Sequence, residues 1–382
     1  MNSIYFDHAA TTPLHPEVLE AMLPFYREVY GNPSSTHGFG RASRTALNRF
    51  RDGIAEILNC PPAQLIFTSG GTESNNMALF GVLEALGKSK KHVITTQIEH
   101  HAVLHPCERL ERMGYEVTYL PVDTTGLISI ENLESAIRPD TALISIMYGN
   151  NEVGTLQPID AIGSIARSRG IVFHVDAVQV LGKVPLDLSA LPVDFMSFSA
   201  HKINGPKGAG ALYAAKKTPL APYLLGGSQE RKRRAGTENV AGIAGFAKAV
   251  ELTGQHISAL RQTTDELRQS MIHALSTKLG TKGFVINGHP VLRLPHILNV
   301  SFPGVGTETM LMNLDLAGIA ASSGSACTSG SLEVSHVLEA MNLPESVTSS
   351  AVRFSFGMGN SNEQIESTAQ VIATIVERLR NK

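Results

Sequence analysis

Three short stretches carry residue types that could do chemistry together. In FTSGGTES (67–74) an apolar run enters Ser-Gly-Gly-Thr and a helical segment follows. That layout offers free backbone N–H groups and a helix dipole to an anion, with Thr72 and Ser74 as extra donors. It matches neither G-x-x-x-x-G-K-[ST] nor G-x-G-x-x-G, so nucleotide readings lose ground. In FHVDAVQ (173–179) Asp176 closes an apolar strand, at the edge of the sheet where ligands collect in α/β folds. In SFSAHKINGPKGAGALY (197–213) Lys202 follows a strand, preceded by Ser199 and His201, and is a candidate desolvated amine able to form a Schiff base.

Each stretch has a plainer rival: a glycine-rich turn that binds nothing, an aspartate that caps the next helix, a solvated surface lysine. Jointly they specify a phosphate cradle, a carboxylate to keep a ring nitrogen protonated, and an amine to hold an aldehyde. Those are the parts that pyridoxal phosphate requires.

Other residues stand beside this set. QIEHHAVLH (97–105) supplies His100, His101 and His105; one imidazole stacked on a ring and moving protons suits the pattern better than a metal site, for which no H-E-x-x-H exists. RKRRAGTEN (231–239) is a solvated charge run or a hold for a phosphate or acidic partner. Arg353 in AVRFSFG is a lone arginine in a strand-like run, suited to a bidentate carboxylate contact or to an ordinary sheet edge. SSGSACTSG (322–330) sets Cys327 among hydroxyl residues, with Gly324 and Gly330 bracketing it, and predicts a loop that swings its thiol between two places.

Elements able to position these residues are legible. Between 64 and 215, β-rich runs alternate with helical segments: LIFT (65–68), HVITT (92–96), EVTYL (116–120), ALISIM (142–147), IVFHV (171–175), DFMSFS (194–199) and GALY (210–213). The alternation predicts a mainly parallel sheet covered on both faces by helices, a large α/β/α domain over 16–255. A polar helix over 256–279, strands at 297–302 and 351–357, and helices near 307–316 and from Ser361 predict a smaller α+β domain over 256–382, the two joined by segment 1–15. The Ser361–Gln364 spacing is that of a capping box.

Composition limits the alternatives. The 382 residues are 43% hydrophobic and 17% charged, with a net charge of −2, which gives no general attraction to nucleic acid or anionic membrane. No apolar run has the length of a membrane span, and the start MNSIYFDHAATTP has no signal-peptide pattern. Three scattered cysteines, Cys60, Cys107 and Cys327, suit a reducing cytoplasm rather than a disulfide framework.

The chain resembles the cysteine desulfurases of the NifS/IscS group, within the fold-type I pyridoxal phosphate enzymes. The likeness runs through FDHAATTP, YGNPSSTHGFG, FTSGGTESNN, EHHAV, NNEVGTLQP, HVDAVQ, SFSAHKINGPKG, RRAGTEN, SSGSACTSG and VRFSFG, in the family's order. The long hydroxyl-rich segment around Cys327 is similar to the group I type. The resemblance implies a homodimer in which Lys202 holds the cofactor, His100 stacks on it as acid and base, and Asp176 pairs with the pyridine nitrogen. Gln179 and Asn151 would approach the ring hydroxyl. Gly71, Thr72, Ser199 and His201 would hold the phosphate, joined by Thr237 of a second subunit. Arg353 and Asn151 would hold the carboxylate of L-cysteine.

Cys327 would take the sulfur as a persulfide, leaving L-alanine, and pass it to a protein acceptor for iron–sulfur cluster assembly or tRNA thiolation. The resemblance implies no resident metal, with Cys327 the one residue to touch a cluster iron in passing. A selenocysteine lyase or an aminotransferase of the same fold is the rival, and Cys327 separates it. Ala200 and Asn204 stand where relatives often have glycine and tyrosine, and the chain stops at LRNK without the longer tail by which the IscS branch binds its scaffold.

Overall fold

The computed structural model describes residues 3–87, 90–324 and 334–381. Its strands are β1 (Ile4–Tyr5), β2 (Leu65–Thr68), β3 (His92–Thr96), β4 (Glu116–Leu120), β5 (Thr141–Ser145), β6 (Val172–Asp176), β7 (Phe195–Ser199), β8 (Gly210–Ala214), β9 (Val285–Asn287), β10 (Ile297–Ser301), β11 (Ile319–Ala320) and β12 (Ala351–Ser355). Seven of them form one sheet in the order β2-β8-β7-β6-β5-β3-β4. Only β8 runs antiparallel to its neighbours there; the remaining pairings are parallel. Strands β5 to β8 are buried at every position, as their two-faced apolar sequences require under helices on both sides.

Polar residues inside this sheet pair with one another. The His174 ring in β6 bonds Ser145 of β5 at 2.8 Å and Ser197 of β7 at 3.0 Å. Burial pushes its pKa down to about 3, so it stays a neutral rung across three strands and satisfies both hydroxyls.

The smaller sheets are β12-β10-β9, antiparallel, and the parallel pair β1-β11. Phe354, Leu298, Val300, Ile365 and Ile372 form a second core here, and Phe6 from the N-terminal segment joins it. The helix Asn362–Arg380 opens with the expected capping box: Ser361 Oγ accepts the Gln364 N–H and Gln364 Oε1 accepts the Ser361 N–H. The helix expected over 256–279 is longer. It runs unbroken from Val240 to Leu279, 40 residues, so position 256 lies within it. Asn239 caps it by accepting the Gly242 N–H at 3.0 Å, and the small residues of its first half allow close packing, since a Cβ at Gly245 would come within 2.7 Å of Met22 Sδ. Among the described residues no helix is long and apolar enough to cross a membrane.

One buried ion pair ties the first helical layer to the edge of the large sheet. Arg51 donates to Glu230 Oε1 and Oε2 at 2.5 and 2.9 Å and to the Leu65 carbonyl at 2.7 Å, and Glu230 Oε2 also accepts the Phe67 N–H. Glu230, Arg231 and Lys232 all have left-handed φ, at 43°, 59° and 66°, a succession that non-glycine residues rarely hold without such an anchor. Removing one partner of a buried pair leaves the other uncompensated. Glu230→Ala therefore costs roughly 3–5 kcal/mol, seen as a thermal unfolding midpoint several degrees below that of the parent chain.

Candidate active site

The C-terminal ends of β6 and β7 and the N-terminus of the helix Gly71–Leu86 open on one cavity of about 340 Å³. Every predicted site residue except Thr237 and Cys327 lines it: Gly71, Thr72, His100, Asn151, Asp176, Gln179, Ser199, His201, Lys202 and Arg353. Thr237 is exposed and is not among the lining residues. Cys327 lies outside the described residues.

The anion end is built from glycine and an uncapped helix. Gly70, at φ +150°, precedes the helix, and no side chain caps the first turn. A Cβ at Gly71 would meet Val178 Cγ2 at 2.4 Å, and one at Gly210 of β8 would meet Gly70 Cα at 2.6 Å, so the turn fits only without side chains. Glu73, the acid in this turn, is held by the Ser69 N–H at 2.8 Å and by Arg234 at 2.7 and 3.1 Å. These donors keep its carboxyl below the usual range against the opposing effect of burial. Arg234 and Arg233 of the basic run are thus structural, Arg233 bonding the Ala63 carbonyl, while Arg231 and Lys232 face solvent.

Opposite, the Asp176 carboxylate accepts Asn75 Nδ2 at 2.7 Å and the Val178 N–H at 3.0 Å. Lys202 Nζ donates to the carbonyls of Ala9 and Ala10 at 2.6 and 2.7 Å, and Gln179 Nε2 donates to Ala9 at 2.8 Å. Burial and then nearby Arg353 push the Lys202 pKa down to about 8, with Asp7 and Asp176 opposing. The neutral amine is then far more populated near physiological pH than in an ordinary lysine, which favours a nucleophilic role. The His201 ring bonds Thr11 Oγ1 at 3.2 Å and is pushed down to about 4 by burial, then Lys202 and Lys207.

His100 is the N-cap of the helix His101–Arg112: its Nδ1 accepts the Ala102 N–H at 3.0 Å. An accepting Nδ1 carries no proton, so the neutral ring holds its proton on Nε2. Burial lowers its pKa, Asp176 opposing, with Lys202, His101 and His336 lowering it further. His101 and His105 stack at a centroid distance of 4.8 Å. Among the described residues no group of three or more His, Cys, Asp or Glu is arranged to hold a metal.

Arg353, 3% exposed, reaches Asp7 Oδ1 at 2.7 Å and the Asn151 carbonyl at 2.8 Å, while its Nε has no partner among the described residues. Sequence reasoning singled out neither Asp7, nor the Ala9 and Ala10 carbonyls, nor Asn75. Asn75 had a local signal, one helical turn beyond Gly71. The others act on residues 346, 193 and 192 positions away, and no local pattern reports such pairings.

The family model described as aminotransferase class-V matches residues 4–367. The chain is 48% identical over 377 residues to "Cysteine desulfurase IscS" of Dictyoglomus turgidum, covering 99% of this chain and 95% of the relative. It is also 48% identical over 379 residues to the protein of that name from Methanosarcina thermophila, covering 99% and 93%. Among solved structures it is similar to a "NifS-like protein", with a TM-score of 0.93, 39% identity and coverage of 99% of this chain and 100% of that one.

The capping bond gives a checkable state for His100. Nitrogen NMR on histidine-labelled chain should find the Nε2–H tautomer, with protonation below the ordinary 6.5. Burial disfavours the cation, so the ring stays neutral through pH 7; a ring that titrates above 6.5 contradicts the assignment.

Proposed function

The chain belongs to the class-V aminotransferase family and, within it, to the cysteine desulfurases, and from that premise we propose that it takes sulfur from L-cysteine with pyridoxal phosphate as cofactor. The products are L-alanine and a persulfide on Cys327. The observation that carries this reading is the meeting of the Lys202 amine, the Asp176 carboxylate and an uncapped helix N-terminus in one cavity.

The residues present fit the cofactor. The glycine turn, closed to any Cβ at Gly71, suits a phosphate approached by backbone N–H groups. Gly71 and Thr72 would hold that phosphate with Ser199 and His201, and Thr237 of a second copy would complete it. Exposed Tyr30 and Phe39, whose ring centroids lie 5.7 Å apart, support such a homodimer. Asp176 would pair with the ring nitrogen, Gln179 and Asn151 would approach the ring hydroxyl, His100 would lie against the ring, and Lys202 would supply the attaching amine. When bound, pyridoxal phosphate supplies an electron sink for the pair left on the substrate carbon.

The chain's own residues do the rest. Arg353, aligned by Asp7, orients the substrate carboxylate together with Asn151. His100, neutral with its Nδ1 engaged by the Ala102 N–H, would take the Cys327 thiol proton at that nitrogen as the capping bond yields. The Cys327 thiolate bonds to the substrate sulfur as the carbon–sulfur bond breaks, and the electron pair stays with carbon. Lys202 then delivers the proton that replaces sulfur there, giving L-alanine, while Cys327 keeps the extra sulfur. The persulfide passes to a protein acceptor for iron–sulfur assembly or tRNA thiolation. The cytoplasm is its setting, a reading supported by Cys60 and Cys107, which are free thiols.

Two substitutions test this division of labour. Cys327→Ala should abolish persulfide and sulfide release while leaving the visible absorbance of bound cofactor unchanged; turnover of cysteine at the parent rate would refute the proposal. Lys202→Ala should lose borohydride-fixable cofactor, read as the missing mass increment on the peptide containing residue 202.

A further inference from the structure

The chain on either side of residues 325–333 returns to a single buried carboxyl group. Glu152 is 1% exposed. Its Oε2 accepts the Ser335 hydroxyl at 2.5 Å, and that hydroxyl in turn accepts the Leu338 N–H at 3.2 Å. From the other side Gly324 lies against the same side chain. It has φ +94°, and a Cβ there would stand 3.0 Å from Glu152 Oε2 and 3.1 Å from its Cγ. Gly324 is fixed further by its N–H bond to Ser322 Oγ at 3.1 Å, and Ser322 is paired through backbone to Arg353.

This arrangement sits at the reaction site. Ser322, Gly324 and Arg353 all line the cavity. Asn150 Oδ1 accepts the Glu152 and Val153 N–H groups at 2.8 and 2.9 Å, anchoring the backbone from which the carboxyl group extends. Burial raises the Glu152 pKa, with the Ser335 bond and Arg353 opposing. A buried carboxyl group is costly unless donors meet it, and here the Ser335 hydroxyl is the side-chain donor that does so. Cys327 follows Gly324 by three residues, and three residues of chain span at most about 11 Å. The origin of that tether is therefore set by the wall of the cavity.

We propose that Glu152 is a positioning residue for the Cys327 thiol: by bonding Ser335 and packing closely against Gly324, it sets the described residues on both sides of the thiol-bearing segment relative to Arg353. The proposal rests on Cys327 being the nucleophile. Glu152 touches no substrate atom; it acts by setting where the sulfur is delivered, and a displacement of about an ångström can cost up to about a hundredfold in rate.

The test uses the full cofactor-loaded chain and the variants Glu152→Ala, Ser335→Ala and Glu152→Gln. Three quantities are followed: cofactor absorbance, kcat and KM for alanine formation from L-cysteine, and the single-turnover rate of persulfide appearance on the peptide containing residue 327. Glu152→Ala and Ser335→Ala should slow persulfide formation and kcat by about tenfold or more, with KM and absorbance close to the parent. Glu152→Gln should recover most of the rate, because its amide oxygen still accepts the Ser335 hydroxyl. Parent-like single-turnover rates in both alanine variants overturn the proposal. So does a loss shared equally by the glutamine variant and accompanied by weakened cofactor or substrate binding, which marks a general structural role. If Glu152→Ala does not fold, Ser335→Ala decides alone, since it deletes one hydroxyl. Undiminished turnover by Cys327→Ala would sink the nucleophile assignment itself, a result distinct from any failure at Glu152.

Discussion

The short segment Phe6–Thr12 is bonded at once to both halves of the molecule, and the site depends on that double attachment. Phe6 is in the core of the smaller sheet and Ala9 in that of the larger. The His8 and Ala9 N–H groups reach Ser355, and Thr12 bonds the His201 carbonyl through its N–H and its hydroxyl. Its carbonyls receive Lys202 and Gln179, and its Asp7 receives Arg353. The groups read as amine, ring-hydroxyl partner and carboxylate clamp are therefore aligned on one strap. Few alternative arrangements can satisfy so many buried donors and acceptors together.

Electrostatics follow from the same enclosure. Burial lowers the pKa values of Lys202, His100 and His201, so near neutral pH the two imidazoles are mostly uncharged and the lysine gives up its proton more readily than an exposed one. The Asp176 carboxylate has donors on both oxygens, from Asn75 and Val178. A neutral imidazole with a defined tautomer, a weakened ammonium and a ligated carboxylate form a set in which protons move at low cost, which general acid–base work near neutral pH requires.

How much of this could be read from sequence depended on the range of each interaction. LIFT, HVITT and EVTYL became strands at the expected residues, because β-branched runs between turn residues report a local preference. ALISIM shifted to Thr141–Ser145, and IVFHV moved forward to include Asp176. Apolar residues beyond a strand end look the same as those within it when both are buried. The long helix was foreseen only in its polar half, since the small residues of 240–254 give no amphipathic stripe when the helix is covered all round. The cavity residues themselves were legible because glycine, lysine and aspartate at strand ends are chemically unusual. Their supports at Asp7, Ala9 and Ala10 were not, being ordinary residues made important by partners remote in the chain.

The strap also bears on the order in which the molecule can be completed. Translation yields residues 6–12 before their long-range partners, which arrive near positions 179–204 and finally at 353–355. Until then the segment has its hydrogen-bonding groups free for water or for a chaperone. Contacts of such sequence separation close late and slowly. The cavity is thus completed only once its last partners are made, and an emerging chain would carry a partly built large sheet well before it carried the finished cavity.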